Sequence, residues 1–255
     1  MNSITSSKKK SNIKIWAVII WLIVWQFLSM HLNSAILLAS PIETLKCLWG
    51  MLGVASFWQS IFFTLIRICV GLIIANILGI VFATIAYFSN AFKDFISIPV
   101  AVTKATPVAS FIILALIWIP SRNLSVFISF LMSFPVIFTN ILQGLNSMDK
   151  KMLQMAKVFR LSPSRKIRFV YVPQVIPYYK AAASLSNGLC FKAGIAAEVI
   201  GQPNGSIGER LYEAKIYFNT PELFAWTITI IIVSIVFNRL FMLLINLIMN
   251  KLEGK

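Results

Sequence analysis

The chain has 255 residues, the length of one or two ordinary domains. It is 58% hydrophobic and only 12% charged, with a mean hydropathy of +0.83, whereas a soluble domain carries about 25% charge. So few charges cannot cover a globular surface, which excludes a soluble fold and places much of the chain against lipid. Lys and Arg number 23 against 8 Asp and Glu, a net charge of +15. These basic residues lie in short gaps between apolar runs rather than on one face of a soluble fold. They therefore read as membrane orientation and not as a nucleic-acid surface.

In chain order, residues 1–14 form a polar tail with Lys8, Lys9, Lys10 and Lys14. The first apolar run, 15–32, contains Trp16, Trp21 and Trp25. A basic head before an apolar run is also the signal-peptide pattern. This run is long and aromatic, however, and no small-x-small cleavage site follows it closely, so it reads as a retained anchor. Five more runs follow near 58–88, 95–119, 124–145, 176–200 and 223–249, each long enough to cross a bilayer. Pro99, Pro107 and Pro135 interrupt the third and fourth runs. In lipid the backbone bonds that proline removes must be repaired by neighbours or water, which predicts that these spans pack inside a bundle.

Charge asymmetry gives an orientation. With the N-terminus inside, the inner gaps 1–14, 89–94, 146–172 and 250–255 hold fourteen basic residues, and the outer gaps 33–57, 120–123 and 201–222 hold four. That is the sense of the positive-inside rule, and six spans put both basic termini on the cytoplasmic side. The fold expected is all-α: a polytopic membrane bundle of six transmembrane helices in the cell inner (plasma) membrane, over residues 15–255. No barrel-type alternation is present. In the second run Gly71, Ala75, Gly79 and Ala83 recur every four residues, a stripe that lets another helix approach closely.

Three cysteines, Cys47, Cys69 and Cys190, are widely spaced and odd in number, which predicts neither a disulfide framework nor a metal site. No catalytic residues are expected either. A membrane enzyme needs convergent acids, bases or ligands, and eight acids with one histidine and no close carboxylate pair do not supply them.

The longest cytoplasmic gap, 146–172, reads NSMDKKMLQMAKVFRLSPSRKIRFVYV. Met148, Met152, Met155 and Phe159 recur at helical spacing. Ser162 followed by Pro163 is a helix start. The segment thus predicts an amphipathic helix over Met148–Phe159, a turn and a second short basic helix, either lying on anionic headgroups or docking a soluble partner.

Here the sequence resembles the membrane-spanning permease subunit of binding-protein-dependent type I ABC importers. The cytoplasmic signature of that family is Glu-Ala-Ala, three residues, Gly, nine residues, Ile-x-Leu-Pro. It falls on Gln154, Met155 and Ala156, on Arg160 at the Gly position, and on Val170, Tyr171, Val172 and Pro173. Gln154 lacks the acid. Arg160 replaces Gly, so a left-handed turn there is expected to be strained, with Ser162-Pro163 available to supply the turn instead. Two further stretches resemble the nitrate, sulfonate and taurine branch: Thr64, Arg67 and Gly71, and Ala197, Glu198, Gly205 and Gly208.

The resemblance implies a transport subunit rather than an enzyme, with Gln154, Met155, Ala156, Phe159, Arg160 and Pro173 in a coupling helix and loop that contact a separate ATP-binding ABC subunit. It also implies an extracytoplasmic solute-binding protein, a pair of permeases (expected to be a homodimer), and ATP with Mg on the partner rather than a cofactor on this chain. Consistent with that division, the sequence has no Gly-x-x-x-x-Gly-Lys-Ser/Thr phosphate loop.

Charged residues at bilayer depth mark candidate substrate contacts. Lys104 and Lys192 suit the path of a small anion, and Asn187, Phe191, Gly194 and Glu198 share one helical face that could line a cavity. Lys192 and Glu198 point about 120° apart, so they are not expected to pair. The solute expected is a sulfonate, taurine, nitrate or related anion. The alternatives are the same architecture importing a thiamine-precursor-like heterocycle, or an ATP-independent secondary carrier. The carrier would require an inverted repeat that the hydropathy does not display.

Overall fold

The computed structural model describes residues 15–32 and 36–253, so the basic tail 1–14 lies outside the described residues. Every regular element among the described residues is helical. In lipid this is the expected outcome, because a helix satisfies its own backbone.

Helix α1 (Ile15–Leu32) is apolar all round and touches the rest of the chain at few points. The Trp25 indole N–H donates to the Ala39 carbonyl at 3.0 Å, and the Ser29 hydroxyl donates to that of Leu38 at 2.8 Å. A helix absent from the sequence reading follows. α2 (Pro41–Leu52) is started by a capping box at Ser40 and Glu43, with proline as its first residue. The Ser40 backbone N–H and hydroxyl both donate to the Glu43 carboxylate, and these bonds hold its pKa below the ordinary carboxylate range. The cap is therefore complete above that range and is lost as acid protonates Glu43.

Helices α3 (Ala55–Phe88), α6 (Ser121–Asn146) and α11 (Thr220–Glu253) are long and apolar enough to cross a membrane. The third apolar run is not one helix. It is a pair, α4 (Asn90–Ala105) and α5 (Val108–Ala115), bent by 107° at Thr106-Pro107. Pro107 disfavours helical geometry at Thr106, which sits extended at φ −87°, ψ 135°. Pro99 and Pro135, by contrast, remain inside α4 and α6.

The segment 146–172 forms α7 (Lys150–Val158) and α8 (Pro163–Lys166), followed by a π-helical turn over Ile167–Tyr171 that runs without a break into α9 (Val172–Gly201). The expected second basic helix is thus the start of a span-length helix. The wide turn has a physical cause in Pro173, which lacks an N–H, so the Val172 N–H reaches back five residues to Ile167 and makes room for the ring. Helix α10 (Ile207–Ile216), also missed in the sequence, begins at Ser206, whose hydroxyl accepts from the Glu209 N–H.

The centre of the bundle is α3, α6 and α9. The small-residue stripe of α3 faces α6: a Cβ at Gly71 would strike the Val126 carbonyl and the Ser129 side chain, and one at Gly79 would come within 2.7 Å of Ile137. On α9, Gly194 fits against Ser129 and Ile68. These contacts bring helix backbones close together, the usual way lipid-embedded helices gain packing energy. Around this seam, Ile68, Leu72, Cys190 and Phe191 form one cluster that receives Phe237 and Phe241 of α11. A second cluster joins Ile112 and Ala115 of α5 to Leu124 and Ile128 of α6.

Candidate functional site

The predicted coupling helix stands at one end of the bundle and is fixed there on one side. Asp149 caps α7, accepting from the Lys151 N–H at 2.8 Å, while its own N–H donates to the Gln174 side chain of α9 at 2.9 Å. Ala156 is 1% exposed, and Met148 and Leu153 join the apolar cluster built from α3, α4, α6 and α9. The opposite side is bare: Met155, Val158 and Phe159 are 43%, 78% and 71% exposed. Gln154 and Arg160 are exposed as well, as is Pro173, which lies in α9 beyond the π turn. The six residues aligned with the signature thus divide. Gln154, Met155, Phe159 and Arg160 face outward, Pro173 shapes the helix that follows, and Ala156 is an internal contact.

Arg160 has φ 45°. It occupies the position after the C-cap of α7, where the Leu161 N–H bonds the Ala156 carbonyl at 3.0 Å and the Arg160 N–H bonds that of Lys157 at 3.1 Å. This is the left-handed C-terminal motif that normally uses glycine. The turn stays at the signature position, and Ser162-Pro163 only begins the next helix. Arg160→Gly is expected to stabilise the permease by about 1 kcal/mol, seen as a raised unfolding temperature, whereas Arg160→Ala gives no such gain.

At the far end of the bundle the other two resembling stretches meet. The Thr64 hydroxyl donates to Glu198 Oε2 at 2.7 Å and accepts from the Ile207 N–H at 3.1 Å. One hydroxyl thereby ties α3, α9 and the first turn of α10 together, across 134 and 143 residues of sequence. Gly208 lies so close that a Cβ would collide with the Glu198 backbone and Cβ and stand 2.5 Å from the Val199 nitrogen. The Arg67 guanidinium stacks 3.4 Å from the centre of the Phe63 ring. Arg67 Nη1, Ser125 Oγ and Glu198 Oε1 are buried without a hydrogen-bond partner among the described residues.

The candidate substrate residues do not form one lining. Asn187, Phe191, Gly194 and Glu198 do share a face, but it is buried against neighbouring helices of the same chain: Asn187 is 1% exposed and Glu198 0%. That face is a packing seam rather than a cavity wall, because Gly194 draws the helices together. Asn187 spends its amide on Asn238 of α11 at 2.9 Å. Lys192 is exposed and Glu198 is not, so the two are on different sides of α9, as their spacing predicts. Lys104 is exposed beside the α4–α5 bend, its ammonium 3.3 Å from the Thr139 hydroxyl of α6. No group of metal-binding side chains occurs among the described residues.

This arrangement can couple an outside partner to a helical bundle. Comparison with known proteins gives the family. A probable ABC transporter permease protein of Brucella melitensis is 24% identical over 209 residues, covering 82% of this chain and 85% of the relative. The putative aliphatic sulfonates transport permease protein of Bacillus subtilis is 22% identical, covering 83% and 77%. The nitrate import permease protein of Synechococcus elongatus is 24% identical, covering 76% and 73%. The model of one family, described as the binding-protein-dependent transport system inner membrane component, matches residues 75–254, from the small-residue stripe of α3 through α7 to the end of α11. The chain belongs to that family, as a permease component with an all-α membrane fold.

Proposed function

We propose that the chain is the permease half of an ATP-driven importer for a small anion. Two such permeases form the path, an extracytoplasmic binding protein delivers the solute, and a separate subunit carries ATP and Mg. Both termini face the cytoplasm. The observation that carries this reading is the two-sided helix α7, fixed to the bundle through Met148 and Leu153, with Ala156 buried, and offering Met155, Val158 and Phe159 to a partner. ATP binding that draws two ATPase subunits together would move both α7 helices, and each α3–α6–α9 seam would follow as a unit. Nucleotide shifts the inward–outward equilibrium only through contacts made in one of the two states.

The anionic class is supported by relatives whose names specify aliphatic sulfonates, nitrate and bicarbonate. It is also supported by Lys104 and Lys192, exposed cations on α4 and α9. The test is ATPase turnover of the complete reconstituted complex, with its binding protein, against sulfonates, nitrate and bicarbonate. An anion in this group should raise turnover, and stimulation only by neutral or cationic solutes rejects the class. Lys192→Met should lower transport of the stimulating anion by about tenfold or more, the loss expected for one charged hydrogen bond.

A further inference from the structure

An open cavity of about 730 Å³ lies beside the coupling segment, between the C-terminal parts of α3 and α6, the start of α9 and Met249 of α11. Its wall is apolar, with Ile80, Ile141, Leu145, Val175 and Ile176 among the lining residues. The polar groups on it are largely committed: the Thr84 hydroxyl donates to the Ile80 carbonyl at 2.8 Å, and the Tyr179 hydroxyl donates to Asn76 at 3.0 Å. Among the described residues the one charged side chain in the lining is Lys166, whose ammonium stands 5.6 Å from the centre of the Tyr171 ring. Phe88 and Ile167, 72% and 57% exposed, also line it.

Such a site offers a hydrated solute almost nothing to replace its water, but it matches an amphiphile with an apolar body and a single negative head. We propose that the cavity is a binding site for an anionic phospholipid, its acyl chains against Ile80, Ile141 and Ile176 and its phosphate at Lys166. Arg165 and Arg168 extend the positive charge along the adjoining segment. A basic side chain at a membrane surface attracts such headgroups through the same charge complementarity. The lipid would seat between α8, the π turn and α3, against the segment through which α7 joins α9. The assignment does not depend on which side of the membrane this end faces, nor on the solute carried.

The test uses the complete transporter complex in nanodiscs of phosphatidylglycerol and phosphatidylcholine in equal parts, with retained lipids counted by native mass spectrometry. The native complex should hold phosphatidylglycerol over phosphatidylcholine by about fivefold, the factor one lysine at a membrane surface supplies. Lys166→Glu should bring the two lipids to parity. Thr84→Trp, at an exposed wall position, should fill the cavity and remove the retained lipid. Equal retention of both lipids by the native complex overturns the proposal, as does undiminished phosphatidylglycerol in Thr84→Trp. A photoreactive group at position 84 that captures the ATPase or a second permease instead of lipid also overturns it.

Discussion

Met155 and Phe159 replaced together by aspartate should leave the permease folded in the membrane and strip it of its ATPase. Phe159 is largely exposed and Met155 partly so, so little packing inside the chain is lost. A buried apolar or aromatic anchor at an interface contributes about 2 kcal/mol, and two charges in a desolvated groove add a penalty. Assembly should therefore weaken on the order of a hundredfold to a thousandfold, read as loss of ATPase copurification with a tagged permease and loss of ATP-driven uptake in proteoliposomes. Undisturbed copurification would remove α7 as the docking element. Ala156→Asp is the informative contrast. It buries a carboxylate at a position that the chain itself covers almost completely, so it should lower the folded yield itself and cannot report on docking alone.

Gly208→Ala and Gly188→Ala should have opposite signs. At Gly208 the added methyl meets the Glu198 backbone, which cannot rotate away, and overpacking of this kind costs about 3 kcal/mol. The polar junction at Thr64 should open with it. Thr64→Val, which removes two hydrogen bonds and strands a buried carboxyl, should behave similarly. At Gly188 a Cβ meets nothing within 4 Å, and alanine there gains up to about 1 kcal/mol of helix propensity. Thermal unfolding of the purified permeases measures both. Equal effects at the two positions would contradict the close approach of α10 to α9.

The helical class was legible because bilayer-length apolar runs are a property of the sequence itself. The helix inside residues 146–172 was legible for the same kind of reason, since its Met and Phe spacing is local and α7 forms there. Which of its faces points inward was not, because the cluster that receives Met148 and Leu153 is built mostly from residues of α3, α4, α6 and α9 that lie far away in the sequence. Two short helices escaped notice inside gaps read as loops. Ser40-Pro41 with Glu43, and Ser206 with Glu209, are start signals that would have revealed them. Asn187 and Glu198 share a face that is buried against helices of the same chain. Period alone cannot distinguish a surface that meets solute from one that meets another helix. The meeting of Thr64 with Glu198 and Ile207 is purely tertiary, and no local pattern announces it.

The 107° break at Thr106-Pro107 bears on how the protein is made. With eight residues, α5 is about 12 Å long, well under half of the roughly 30 Å hydrocarbon thickness. It cannot partition out of the insertion channel as an independent segment. Its buried residues, Ile112 and Ala115, find their partners on α6 and α9, both synthesised later. Biogenesis must therefore hold α5 in a provisional state until α6 has emerged from the ribosome, so that the two leave the channel as a hairpin. Variants that delay α6 should be cleared by membrane quality control even when each finished helix would have been stable.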